Sequence, residues 1–244
     1  MSAPPSVDFC LLIPHYNNVP GLVASLQSVV YNGPFLVLVV DDGSAAPPQQ
    51  EMLARQLPQS FPLAVVYLPQ NSGITAALNA GLQWIKQFTT TAFIARLDCG
   101  DVCHPDRFEA QLAYLRQHAD VGLLGAWCRF ENRTHGDGYL YKTVTEPDAV
   151  WRHMHLRNVL IHPTVMFRKA LLQQVPRYPT AYPHAEDYAF FWELMQYTRA
   201  AVLPQVLVTC TLTQSGLSGR YRREQLRSVR QVIAHFGKDK WLRF

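Results

Sequence analysis

Four apolar runs in the first hundred residues each end in a polar loop, and this feature constrains the fold more than any other. Phe9-Cys-Leu-Leu-Ile13 stops at Pro14, and Phe35-Leu-Val-Leu-Val-Val40 stops at Asp41-Asp42-Gly43-Ser44. Leu63 to Leu68 leads to Asn71-Ser72-Gly73, and Ala92 to Leu97 runs into Asp98-Cys99-Gly100-Asp101. Short runs without polar alternation read as strands buried on both faces, the condition of a parallel sheet covered by helices. The helical pattern from Thr75 to Phe88 supplies one such cover. The expected class is therefore α/β, with a mostly parallel central sheet flanked by helices. In open sheets of this kind ligands bind at the carboxyl ends of the strands, which is where the polar loops fall.

The pattern beyond residue 100 predicts a helix from Pro105 to Arg116, a strand from Val121 to Phe130 and a loop from Asn132 to Thr145. It then predicts a helix from Val150 to Arg157, a short strand from Thr164 to Phe167 and a helix from Ala185 to Tyr197. No linker or repeat divides the chain. Of the 244 residues 48% are apolar and 16% charged, which excludes a disordered polymer and suits one large domain with a helical extension. Five cysteines without a CxxC pair point to a reducing cytoplasm. No apolar run approaches the ~20 residues of a membrane helix, so a cytoplasmic protein, free or peripheral on the membrane, is expected.

Charge is uneven. The net charge is +4, yet the stretch from Gly219 onward carries eight Lys or Arg against Glu224 and Asp239. Interleaved with Leu226, Val229, Val232, Ile233, Phe236 and Trp241, these residues describe a basic amphipathic helix. It suits either an anionic membrane surface or packing against the domain. No nucleic-acid-binding motif accompanies the charge, so no nucleic-acid partner is expected.

The loops offer the groups that a nucleoside diphosphate requires. Tyr16 can stack on a base, and Asp41 and Asp42 can accept hydrogen bonds from base or ribose. Asp98 and Asp101 stand at a strand mouth, where two carboxylates suit either a divalent cation bridging phosphates or the cap of the following helix. Glu186-Asp187 opens a helix continuing Tyr188-Ala-Phe-Phe-Trp192; acidic residues there either answer the helix dipole or provide a general base. His153 and His155, two apart, face different sides of a helix and make no metal pair. Neither GxGxxG nor GxxxxGK[ST] occurs, which argues against a dinucleotide-dependent dehydrogenase or a P-loop enzyme.

In order, Pro14-His-Tyr-Asn17, Asp41-Asp-Gly-Ser44, Asn71-Ser-Gly73, Ala95 to Asp101, His104-Pro-Asp-Arg107, His162-Pro163 and Glu186-Asp187 resemble the motifs of family-2 glycosyltransferases, the bacterial type that builds surface polysaccharides such as lipopolysaccharide and capsule. The resemblance covers roughly Asp8 to Ser218. It implies a Rossmann-like GT-A domain over residues 1–218, followed by a basic helical extension over 219–244. It implies an inverting transfer of one sugar from a nucleoside-diphosphate donor, a UDP-sugar first among them, to a glycan or lipid-linked acceptor. Pro14, Tyr16, Asn17, Asp41, Asp42, Asn71, Gly73, Arg96 and Asp98 would bind the donor nucleotide. Asp98 and Asp101 would hold Mn²⁺ or Mg²⁺, Asp187 with its neighbour Glu186 would be catalytic, and His162 and Trp192 would lie on the acceptor side. One departure stands out: the family's Asp-x-Asp-Asp reads Asp98-Cys99-Gly100-Asp101, one carboxylate short. That loss leaves open a non-catalytic sugar-nucleotide or glycan-binding module as the rival reading.

Overall fold

The computed structural model describes residues 6–57, 61–132, 136–212 and 221–237. Strands β1 (Phe9–His15), β2 (Phe35–Asp41), β3 (Leu63–Tyr67) and β4 (Phe93–Arg96) pair in parallel in the order β3-β2-β1-β4, as the apolar runs require. The sheet continues through β8 (Met166–Arg168), β6 (Val121–Glu131), β9 (Arg199–Thr211) and the two-residue β5 (Val102–Cys103), with β7 (Gly138–Tyr141) paired to β6. Strands β8, β5 and β7 run antiparallel to their neighbours, whereas β6 and β9 share the direction of the first four. The sheet is thus mostly parallel, with helices on both faces.

Alternation along β1 divides the core into two layers. Cys10 and Leu12 face one cluster, which also holds Ala77, Leu78, Leu82 and Ile85 of α3 (Ile74–Phe88), Val150 and Met154 of α5 (Pro147–Met154), and most of α6 (Glu186–Met195). Phe9, Leu11 and Ile13 face the other, with Leu22 and Leu26 of α1 (Val19–Gln27), Leu53 of α2 (Gln50–Arg55) and Phe108, Leu112 and Leu115 of α4 (Arg107–Gln117). Each Val, Leu, Ile, Met or Phe among them, fully buried, contributes about 1.5–3 kcal/mol. The sheet is therefore pinned from both sides, and the loops at its carboxyl edge start from fixed strand ends.

Three local expectations are corrected. The segment expected as a loop from Asn132 contains β7, whose Gly138 pairs with Glu131, so β6 folds back as a hairpin. His162–Thr164 forms a 3-10 turn and the short strand begins only at Met166, because the Thr164 and Val165 amides are spent on the Ile161 and His162 carbonyls of that turn. The long strand β9 was not anticipated. Its Pro204-Gln205 interrupts the apolar pattern, and the structure accommodates them as an outward bulge: Leu203 pairs with Ala126 and Val206 with Trp127.

The last helix, α7 (Arg222–Phe236), packs on the domain through Val232 and Phe236, and the Phe236 ring stacks on Trp192 with centroids 5.8 Å apart. The expected boundary at residues 218–219 lies outside the described residues. Among the described residues no helix is long and apolar enough to cross a membrane.

Candidate active site

The loops after β1, β2 and β3 are laced together by Asp41, which ends β2, and Asp42, which follows it. Asp41 is buried; His15 Nδ1 donates to its Oδ1 at 2.7 Å, and Ser44 donates its hydroxyl at 2.6 Å and its amide at 2.9 Å. Because His15 Nε2 accepts from the Asn18 amide at 3.1 Å, the ring proton sits on Nδ1, as the bond to Asp41 requires. Burial pushes the Asp41 carboxyl up, but the Ser44 and His15 bonds outweigh it and hold the group below the usual carboxylate range. Asp42, also buried, accepts from the Ser72 and Gly73 amides at 2.9 and 2.8 Å. Asn17 ties the first loop to the second, accepting from Ala45 N–H at 3.0 Å while its own amide donates to Ser44 Oγ at 2.8 Å. Tyr16, 47% exposed, projects from this frame, and Gly73 (φ +87°) has no heavy atom within 4 Å of where a Cβ would stand. The result is a rigid rim with one free aromatic face and an open floor.

The loop after β4 is shaped from beneath. Arg96 is fully buried and donates to the Leu12 carbonyl at 2.7 Å, to the Leu97 carbonyl at 3.1 Å, to Asp98 Oδ1 at 2.5 Å and to His162 Nε2 at 3.2 Å. Tyr178 donates its hydroxyl to the same His162 nitrogen at 2.9 Å. Burial, then the Arg96 charge, drive the His162 pKa well below its ordinary value, so the ring is neutral. Ser25 accepts from the Gly100 amide at 2.9 Å and donates to the Asp101 carbonyl at 2.7 Å, which fixes the turn of the Asp98-Cys99-Gly100-Asp101 loop. Arg107, from His104-Pro-Asp-Arg107, donates to the Arg96 carbonyl at 2.6 Å. Asp101 accepts from Thr211 N–H at 2.8 Å; burial and then the Asp98 charge raise its pKa to about 7.

Glu186 and Asp187 occupy the first turn of α6. Asp187 accepts from the Asn158 side-chain amide at 3.1 Å and from Tyr188 N–H at 2.7 Å. Burial, then the charge of Glu186, raise the Asp187 pKa to about 7, and Asp98 adds to the effect. Burial likewise raises Glu186, which also feels Asp98 and whose Oε2 is buried without a hydrogen-bond partner. The carboxylates of α6 and of the loop after β4 thus lie within one electrostatic neighbourhood, although they stand far apart in sequence.

Not every expected residue reaches the crevice. Arg96 and His162 form the buried support under Asp98, and Asp41 is occupied by His15 and Ser44, so these three hold the site rather than face a ligand. Pro14 lies within β1. Trp192 is a correction: fully buried between Trp151, His155 and Phe236, it belongs to the core and cannot wall an acceptor site in this conformation. Tyr16, Asn71 and Gly73 stand on the loops after β1 and β3, Asp42 holds the third of these loops in place, and Asp101, Glu186 and Asp187 all feel the charge of Asp98. Asn158, Ser25 and Tyr178, which position these groups, were not singled out from sequence. Each is a single polar residue in a loop or on a helix, with no motif around it.

A divalent cation fits only with help. Among the described residues no group of three His, Cys, Asp or Glu side chains is arranged to hold one. Gly100 adopts φ +101°, which an L side chain rarely takes, so the backbone itself is built for a glycine where the third carboxylate was expected. Asp98, whose side chain is 36% exposed with one oxygen on Arg96, and Asp101 remain as carboxylate donors. Mg²⁺-like ions are commonly held by one or two carboxylates with substrate phosphates and water completing the shell, and the pair suits that arrangement.

Comparison with known proteins agrees with this architecture. The family model for Glycosyl transferase family 2 matches residues 10–175. The amylovoran biosynthesis glycosyltransferase AmsE of Erwinia amylovora is 32% identical over 209 residues, covering 82% of this chain and 74% of its own. The O-antigen biosynthesis glycosyltransferase WbnJ of Escherichia coli is 26% identical over 132 residues, covering 53% and 48%. Among solved structures, S. aureus TarS 1-349 superposes with a TM-score of 0.71 at 21% identity, over 93% of this chain and 64% of that one. The mannosyltransferase PcManGT of Pyrobaculum calidifontis, in complex with GDP-Man and Mn²⁺, gives 0.68 at 19% identity over 97% and 67%. The chain therefore spans a little under two thirds of the TarS fragment, and both likenesses establish the GT-A fold.

Proposed function

The chain belongs to glycosyltransferase family 2, and from that premise we propose that it transfers a single sugar, with inversion, from a nucleoside-diphosphate donor to a hydroxyl of a glycan or lipid-linked acceptor during assembly of a surface polysaccharide. The carrying observation is Asp187. Its carboxylate is fixed by Asn158, its pKa stands near 7, and it shares its electrostatic neighbourhood with Asp98. A carboxylate so tuned is half ionised near neutrality and suits a general base at that pH.

The donor base stacks on Tyr16, and its ribose and base edges meet the rim held by Asp42 and Asn17. The diphosphate lies over the open face of Gly73 and toward Asp98 and Asp101. A divalent ion held by those two carboxylates would neutralise charge on the departing diphosphate. Asp187 takes the proton from the acceptor hydroxyl, whose oxygen forms the new bond to the anomeric carbon. The bond from that carbon to the diphosphate oxygen breaks, its electron pair leaving with the nucleoside diphosphate, and attack from the opposite side inverts the centre. Positioning and preorganised charge supply most of the acceleration. TarS structures contain UDP and UDP-GlcNAc and the PcManGT structure contains GDP-Man, which supports a nucleotide-sugar donor, with a UDP-sugar as the first choice here.

The test is release of free nucleoside diphosphate from a panel of UDP- and GDP-sugars, with and without Mn²⁺, in the presence of membrane extracts as acceptor source. Turnover of one donor into a glycan product supports the reading. Donor binding without release under every condition overturns it in favour of a binding module.

A further inference from the structure

Helix α7 has two faces of opposite character. Val229, Val232, Ile233 and Phe236 pack against the core, with Ser228 buried among them. On the opposite face Arg223, Arg227 and Arg230 are exposed at a spacing of one helical turn, with Leu226, 50% exposed, among them and exposed Ala234 one turn beyond. Arg222 adds a further exposed cation at the start of the helix, against a single exposed acid, Glu224. Glu224 turns toward the domain, 3.4 Å from His184 Nε2, and so leaves the outer face basic.

The position of this face matters as much as its charge. Tyr221, which caps α7, stacks on His184 with ring centroids 4.4 Å apart and planes 7° from parallel. His184 lies two residues before Glu186 and three before Asp187. The basic helix is therefore anchored, through its first turn, to the segment that leads directly into Glu186 and Asp187.

We infer that the outer face of α7, carried by Arg223, Leu226, Arg227 and Arg230, docks the enzyme on an anionic lipid bilayer and so presents the acceptor side of its crevice to lipid-linked substrates. The choice of a bilayer over other acidic partners rests on the proposed transfer to a lipid-linked acceptor. Charge complementarity and the interleaved apolar side chains supply the rest: arginines gain from anionic headgroups while Leu226 enters the headgroup boundary. The remaining face of the helix is committed to the core, so docking needs no unfolding.

Flotation of the full chain with vesicles of phosphatidylcholine alone, or mixed with phosphatidylglycerol, tests the inference. Binding is expected only to the mixed vesicles and should weaken as salt rises. The triple variant Arg223→Gln/Arg227→Gln/Arg230→Gln should lose on the order of a hundredfold in vesicle partition, since each basic residue near such a surface contributes about fivefold. Leu226→Asn should weaken binding several-fold without changing charge. Because none of these side chains faces the crevice, thermal-shift response to the donor and soluble donor hydrolysis should stay at the wild-type level in both variants. Equal binding to both vesicle types, or undiminished binding by the triple variant, overturns the inference, as does preferential capture by a DNA duplex added in competition. If donor hydrolysis is absent throughout while vesicle binding follows this pattern, the transferase reading fails and the docking surface stands.

Discussion

Replacing Asp187 by Asn keeps the shape of the side chain and removes the charge that the proposed mechanism uses. The substituted amide offers one acceptor oxygen where two donors, Asn158 Nδ2 and Tyr188 N–H, now bond, and sets an NH₂ against one of them, so about 1–3 kcal/mol of stability is lost while the loops that carry Tyr16 and Asp42 keep their own hydrogen bonds. General-base catalysis is typically worth 10²–10⁴ in rate, so kcat should fall by about that factor, or about 3–5 kcal/mol of transition-state stabilisation. The Kd for donor, read by thermal shift or calorimetry, should change less than about twofold. The same reasoning fixes a pH signature. With a pKa of about 7, raised by burial and then by Glu186, the wild-type carboxylate is protonated at low pH and inactive as a base. At pH 6 about one tenth is ionised, so kcat/KM should stand about tenfold below its alkaline plateau. Glu186→Gln removes the like charge and should shift this acid limb to lower pH. Asn158→Ala removes a donor to the ionised form and should shift it to higher pH. Turnover within tenfold of wild type for Asp187→Asn, or an acid limb indifferent to both neighbouring substitutions, would refute the assignment of Asp187 as base.

Other outcomes follow from the supporting frame. Asp42→Asn offers one acceptor oxygen where two amides, Ser72 and Gly73, now bond, and sets an NH₂ against one of them; a cost of about 1–3 kcal/mol in stability and a raised donor KM are expected, read by denaturant melts and initial rates. Phe236→Ala empties the ring stacked on Trp192 and should cost about 3–5 kcal/mol in a thermal or urea melt, somewhat less if α7 settles inward. Gly100→Asp forces a side chain onto φ +101°, so it should lower stability and leave the Mn²⁺ dependence of donor binding unimproved, despite supplying the missing carboxylate.

The parallel half of the sheet was readable because β1, β2 and β4 are buried on both faces and therefore spell continuous apolar runs. Their polar ends located the site for the same reason, since a chain leaving a buried strand must turn at its mouth. Strand β9 escaped because Pro204-Gln205 breaks its pattern, and only the partner β6 shows that the break is a bulge. Within the site, the sequence distinguished acidic loops from apolar strands but not carboxylates that face a ligand from those spent on neighbours. Asp41 and Asp42 are adjacent and identical in type; only coordinates reveal that one is taken by His15 and Ser44 and the other holds the third loop. Arg96 and Trp192 illustrate the same gap, since a charged residue in a strand end and an aromatic on the helix opened by an acidic pair both look exposed until burial is known. Asn158 contacts Asp187 across 29 positions, a pairing that no local pattern encodes.

The guanidinium of Arg96 bears on how any mutagenesis of this enzyme is interpreted. Among the described residues its one carboxylate partner is Asp98, and it lies wholly beneath the surface, so truncating Asp98 strands a cation in a dry interior. An inactive Asp98→Ala protein would then mix a chemical defect with a collapsed foundation, and metal dependence inferred from it would be misattributed. Paired replacement of both partners, or a melting curve recorded beside every rate, separates the two.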